Sequence, residues 1–213
     1  MKFIGILGGT FNPIHHGHLR IAQEIAEAVN LDHVKFIPSA NPPHKAPPQV
    51  TAQQRAEMVQ LAIQDNPLFS MDIRELERTG PSYTIDTLKS LRREHRHATF
   101  CLILGADAFA YYDQWHEWES ILNYCHLVLV PRPNTTNSLT LNPRLNAVLQ
   151  QHGTQDILQL TQQQNGCIIQ LTVTALEISS SKIRTMIAQH KSAIYLTPPA
   201  VMHYLQQHQL YQI

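Results

Sequence analysis

Phe3-Ile4-Gly5-Ile6-Leu7 runs straight into Gly8-Gly9-Thr10-Phe11-Asn12-Pro13-Ile14-His15-His16-Gly17-His18, and the reading of that stretch decides the fold. The apolar run predicts a buried strand. From about Leu19 to Val29, Ala22, Ile25, Ala26 and Val29 recur at helical spacing and predict an amphipathic helix. A strand that turns on glycines into a helix N-terminus can hold a phosphate, because freed backbone N–H groups and the positive end of the helix dipole point at the ligand. Histidines three apart at a helix start share one side of it. His15 and His18 are therefore candidates to donate Nε2–H bonds to phosphate oxygens. Two plainer readings compete: a pair of loop histidines, or part of a zinc site, for which no third ligand of the right kind lies nearby in the chain. Gly8 and Gly9 at the strand end, and Gly17 permitting close backbone approach, favour the phosphate.

The same alternation continues outward. Val34–Pro38 reads as a strand. Thr51 opens a helix with Gln54 in capping-box position and Ala56, Val59, Ala62 and Ile63 on one face. Phe69–Ile73 is a strand, Ile85–Arg93 a helix, Thr99–Leu104 and His126–Val130 are strands, and Ile168–Val173 is the last strand. This order predicts an α/β fold, a doubly wound Rossmann-like parallel sheet with helices on both faces and ligands at the carboxyl ends of the strands. The chain, 1–213, is of a length that one well-cored domain fills. Ser39–Val50, with four prolines, is a stiff loop. Residues 134–166 read as a variable surface insertion with one helix, about Arg144–Gln151. Residues 178–213 read as a small C-terminal helical part, one helix beginning at Ser180–Ser181 and one after Pro198-Pro199.

Sixteen basic residues balance sixteen acidic ones, so no general electrostatic footprint for nucleic acid or a membrane surface is present. Cys101, Cys125 and Cys167 lack CxxC spacing, which argues against a disulfide framework or a zinc ribbon. No apolar run reaches the length of a membrane span, and Phe3–Leu7 is too short for a signal segment. The expectation is a soluble cytoplasmic protein.

Four further stretches carry chemistry. Pro42-Pro43-His44-Lys45 follows the second strand and offers two phosphate donors, or only a solvated lysine on a stiff loop. Gly80-Pro81-Ser82-Tyr83-Thr84 turns into a helix with Thr84 as N-cap; its N–H groups could hold a carboxylate, or it is simply a capped helix. Gly105-Ala106-Asp107 ends the fourth strand, where Asp107 could accept from a ribose hydroxyl or help organise a metal-nucleotide. Trp115 could stack on a flat cationic ring or belong to the core, and Trp118 reads as core. Ile178-Ser179-Ser180-Ser181-Lys182-Ile183-Arg184 groups three hydroxyls and an arginine at a helix start as a second anion cradle.

GGTFNPIHHGH at 8–18 resembles the HxGH signature of the nucleotidylyltransferase superfamily, and in its longer form the bacterial nicotinate-nucleotide adenylyltransferases. PPHK, GPSYTIDT, the GAD…W element and ISSSKIR are similar to that family's motifs in the same order, so the resemblance spans residues 3 to about 187. Asn12 stands where the family more often has Asp, and Ser181 where Thr is more usual. The resemblance implies adenylyl transfer from ATP to nicotinate mononucleotide, giving nicotinate adenine dinucleotide and pyrophosphate, a step of NAD biosynthesis. It implies His15, His18, Lys45 and Arg184 as catalytic residues. ATP would contact Gly8, Gly9, Thr10, Phe11, His15, His18, His44, Lys45, Gly105, Asp107, Arg132, Ile178, Ser180, Ser181 and Arg184. Ser82, Tyr83, Thr84 and Trp115 would hold the nicotinate nucleotide. Mg²⁺ would arrive with ATP, with no metal site of the protein's own. A homo-oligomer is compatible with the sequence. The rivals are the same reaction on nicotinamide mononucleotide, another HxGH transferase using phosphopantetheine or glycerol phosphate, and a non-catalytic nucleotide-binding regulator, whose expected mark, a broken HxGH or ISSxxIR motif, is absent.

Overall fold

The computed structural model describes residues 2–43, 48–131, 141–174 and 176–212. Seven strands are β1 (Phe3–Gly9), β2 (His33–Pro38), β3 (Phe69–Met71), β4 (Thr99–Gly105), β5 (His126–Val130), β6 (Gly153–Thr154) and β7 (Ile168–Gln170). The helices are α1 (His16–Val29), α2 (Ala52–Ile63), α3 (Thr84–Glu94), α4 (Ala106–Phe109), α5 (Trp118–Ile121), α6 (Pro143–His152), α7 (Leu158–Gln162), α8 (Ser180–Ala188) and α9 (Pro199–Gln207). The strands form one sheet in the order β3-β2-β1-β4-β5-β7-β6, and every pairing is parallel.

Alternate residues along each strand feed opposite cores, as the two-residue period requires. Cys101 and Ile103 of β4 and Val128 and Val130 of β5 pack with α1, α2 and α9. Phe100, Leu102, Leu104, Leu127 and Leu129 pack on the other face with α3, α4, α5 and α6. This is the expected doubly wound fold. Strand β1 lies between β2 and β4, so the chain reverses its winding there and a crevice opens beyond the carboxyl ends of β1 and β4.

Several boundaries differ from expectation. Helix α1 starts at His16, with His15 as an extended N-cap, so the histidines form its first turn. The His16 N–H donates to the Leu196 carbonyl at 3.0 Å, a contact across the fold that anchors this start. Thr84 is not an N-cap: Tyr83 occupies that position and Thr84 is the first helical residue. The turn at Gly80 (φ 91°) and the pairing of Ser82 with Asn41 bring the chain into helix one residue early. The Thr51–Gln54 capping box forms as expected. Strand β7 stops at Gln170, and Thr174 turns its N–H to Glu24 of α1. Residues 141–166 are more than a one-helix insertion, since they supply α6, the edge strand β6 and α7, and bury Leu145 and Leu160. Helix α9 rests on α2, where the Tyr204 hydroxyl donates to Glu57 at 2.5 Å. The three cysteines are buried free thiols.

Candidate active site

The turn from β1 to α1 is held by side chains from far along the chain. Arg55 of α2 donates to the Thr10 carbonyl at 2.6 Å and to that of Ala40 at 3.3 Å. Arg184 donates to Asn12 O at 2.7 Å, Ser180 to Pro13 O at 2.8 Å and Thr197 to Ile14 O at 2.8 Å. The Tyr211 hydroxyl reaches the Asn12 side-chain oxygen at 2.5 Å. The Asn12–Pro13 peptide is cis, and Phe11 adopts a left-handed φ of 46°. That conformation is unfavourable for a residue with a Cβ. Packing holds it: the ring is 2% exposed and lies 5.1 Å from the His18 ring and 6.0 Å from the Phe36 ring.

The two histidines work as a unit. Their rings stack at 3.7 Å. The His15 backbone N–H donates to His18 Nδ1 at 3.2 Å. With Nδ1 an acceptor, the neutral His18 ring carries its proton on Nε2. His15 is 6% exposed. Burial, and then the neighbouring charge of His16, lower its pKa to about 4, so it is neutral near pH 7 and offers one N–H. Its Nδ1 is buried without a hydrogen-bond partner among the described residues. Gly17 makes room for this ring, since a Cβ there would lie 3.0 Å from it.

Across the crevice, α3 begins without a side-chain cap. Its first N–H groups belong to a helix end with positive partial charge. Ser82 and Asn41 bind each other twice, Ser82 N to Asn41 O at 2.9 Å and Asn41 N to Ser82 Oγ at 3.1 Å. Tyr83 stacks on His116 at 4.3 Å. Trp115 is half-buried, 5.7 Å from the Tyr112 ring, and packs on the core as well as facing the crevice. Trp118 also packs on that core, as expected.

One cleft of about 1200 Å³ joins these parts. Of the expected residues, Gly8, Gly9, Thr10, His15, His18, Ser82, Tyr83, Thr84, Gly105, Asp107, Trp115, Ile178 and Ser180 line it. A Cβ on Gly8 or Gly105 would meet nothing within 4 Å, so both leave the strand ends bare. Phe11, Ser181 and Arg184 do not line the cleft: Phe11 is core, and Arg184 braces the turn while also reaching Ser181 Oγ at 3.3 Å. His44, Lys45 and Arg132 lie outside the described residues. Among the lining residues that escaped the sequence reading are Glu75, His116 and Lys182. Lys182 lies within a recognised motif and His116 adjoins one, and either could have been marked by that position. Glu75 stands among charged neighbours that read as a solvated stretch, and nothing local signals its burial. Among the described residues no group of three or more His, Cys, Asp or Glu could hold a metal ion, and no helix is long and apolar enough to cross a membrane.

Comparison with known proteins places this cleft in context. The profile of the cytidylyltransferase-like family matches residues 6–186. A protein of Hydrogenovibrio crunogenus named "Probable nicotinate-nucleotide adenylyltransferase" is 42% identical over 211 residues, 99% of this chain and 98% of the relative. One of the same name from Pseudomonas putida KT2440 is 43% identical over 213 residues, 100% of this chain and 91% of its own. The solved structure of Plasmodium falciparum nicotinic acid mononucleotide adenylyltransferase complexed with NaAD superposes with a TM-score of 0.74 at 19% identity, covering 99% of this chain and 98% of that one, and attests the fold.

Proposed function

The chain belongs to the cytidylyltransferase-like family and within it to the nicotinate-nucleotide adenylyltransferases, and from that premise we propose how its cleft performs adenylyl transfer from ATP to nicotinate mononucleotide. The observation that carries the scheme is the convergence of the His15–His18 pair and the uncapped start of α3 on one cleft. One supplies donors for a phosphate, the other a seat for a carboxylate.

ATP lies over the carboxyl ends of β1 and β4, where Gly8 and Gly105 leave room, with its triphosphate toward the starts of α1 and α8. A 5′-phosphate oxygen of the mononucleotide attacks the α-phosphorus in line. The new P–O bond forms as the α–β bridging P–O bond breaks, and pyrophosphate leaves with that electron pair. The attacking phosphate already carries negative charge, so no side chain serves as nucleophile. The Nε2–H of His18 donates to an α-phosphate oxygen, its direction fixed by the bond at Nδ1. His15 adds one N–H, and a triphosphate beside it raises its low pKa toward the ordinary value. Lys182 at the start of α8 faces the departing charge. His44, Lys45 and Arg132 retain their sequence-based roles as further phosphate donors. Arg184 acts through the turn it braces. Trp115 and Tyr83 flank the pyridine ring, and the first N–H groups of α3 hold its carboxylate.

A divalent metal belongs to this chemistry, and Mg²⁺ suits it: phosphate oxygens and water satisfy most of its octahedral shell. Bound there, it would neutralise phosphate charge. The reading needs neither nucleic acid nor a membrane, suits the cytoplasm, and is compatible with a homo-oligomer.

Pyrophosphate release from ATP, measured with nicotinate mononucleotide and then with its amide, tests the scheme. The acid is expected to be used much faster. Equal rates would remove the carboxylate seat at α3, and no release with either would refute adenylyl transfer.

A further inference from the structure

Glu75 is a carboxyl that the transfer scheme leaves unused. It lies between β3 and α3, 7% exposed, on the wall of the cleft. Its Oε1 accepts the Thr87 hydroxyl at 2.6 Å. Its Oε2 is buried and has no hydrogen-bond partner among the described residues. An unpartnered anionic oxygen is costly there, whereas a protonated Oε2 is a donor in want of an acceptor. Thr87 belongs to the first turns of α3, whose start carries no side-chain cap. A buried, half-satisfied carboxyl and an open helix N-terminus thus share one end of the cleft.

We propose that Glu75 is a specificity residue for the second substrate: as the neutral acid it donates to the pyridine carboxylate, and as the anion it accepts from a carboxamide NH₂. The inference rests on the reading that the start of α3 seats the pyridine substituent. Two carboxyl groups in hydrogen-bond contact need a proton between them. Binding of the acid therefore leaves one proton more on Glu75 than binding of the amide does. The acid-over-amide preference falls as pH rises.

The surroundings of Glu75 suit a group that can exist in either form. Burial is the largest influence and raises its pKa; the hydroxyls of Thr87 and Ser82 and the charge of Arg78 pull it back, and Asp72 pushes it up again. Helix α3 presents a hydroxyl here, Thr87. Lys35 of β2 is engaged by Asp72 at 3.2 Å, and Arg74 by Asp72 and Glu94 at 2.8 and 2.9 Å. Among the described residues, His116 also lines the cleft, stacked on Tyr83 and 3.5 Å from Glu117.

The ratio of kcat/KM for nicotinate and nicotinamide mononucleotides, followed from about pH 5.5 to 9, reads this directly, because ionisations shared by both substrates cancel. The ratio is expected to fall with rising pH by up to about tenfold per unit, the limit for one proton. Glu75→Gln is expected to flatten it, and calorimetry in buffers of different ionisation enthalpy to find about one proton more taken up with the acid than with the amide. A ratio independent of pH in the unaltered protein overturns the proposal. So does a dependence that survives Glu75→Gln and vanishes in His116→Gln. Should Glu75→Gln fail to fold, calorimetry on His116→Gln decides: an excess uptake with the acid that persists supports Glu75, and an excess that is lost overturns it. Failure of the unaltered protein to use either mononucleotide would overturn adenylyl transfer itself, and this proposal with it.

Discussion

Gly17 shows how one missing methyl can serve a site. Alanine is the better helix former by about 1 kcal/mol, and this position lies in the first turn of α1. Its Cβ would nevertheless fall 3.0 Å from the His15 ring. Gly17→Ala is therefore expected to melt within a few degrees of the unaltered protein while losing roughly tenfold or more in turnover, a split that thermal denaturation and pyrophosphate release measure together. His18→Ala removes both the donor proposed for the α-phosphate and the acceptor for the His15 N–H. Turnover should fall about 100–1000-fold, as for loss of one transition-state donor. Stability should fall by only about 1 kcal/mol, as for loss of a helix cap. Near-normal turnover would take His18 out of the chemistry.

At the scale of elements, the notable arrangement is that α2, α8 and the segment after α9 all grip the β1–α1 turn. Tyr211→Phe deletes one grip, the bond to the Asn12 side chain. It should cost about 1 kcal/mol, visible as a lower urea midpoint at unchanged slope. An unchanged midpoint would mean that the bond adds nothing to folding. None of these grips is legible locally, because each joins residues far apart in the chain: Arg184 and Asn12 are separated by 172 positions. What was legible obeys short-range rules. The apolar runs of β4 and β5, the Thr51–Gln54 box and the order of strands and helices needed only neighbours. The start of α1 three residues early depended on Leu196, and β6, two residues long, exists only because β7 offers it an edge. The anion-binding motifs pointed to the cleft, but which of their side chains face it was a tertiary outcome, so Lys182 lines the cleft and Arg184 does not.

For the whole molecule, buried histidines set the response to acid. Burial first, then nearby positive charge, lowers the pKa of His15 to about 4 and that of His33 below its ordinary value; burial does the same to His126. Unfolded, each takes up a proton near pH 6.5; folded, each resists it. Between those values the unfolded chain binds more protons, so stability rises with pH and is lost as pH falls below about 6.5. Asp72 acts in the same direction at lower pH: burial pushes it up, but bonding and charge from Arg74 outweigh that and hold it down. The melting temperature should therefore decline steadily from about pH 7 to 4. His15→Gln should remove a share of that slope worth up to about 3 kcal/mol. A melting temperature flat over this range would mean that His15 takes a proton without unfolding.

The double bond between Ser82 and Asn41, 2.9 and 3.1 Å long, fastens the loop that leaves β2 to the turn that enters α3. In the proposed scheme the first adjoins the nucleotide phosphates and the second the pyridine. If ordering either loop orders its fellow, the two substrates share a coupling free energy. That energy is reciprocal: whatever factor ATP adds to the affinity for the mononucleotide, the mononucleotide must return to ATP.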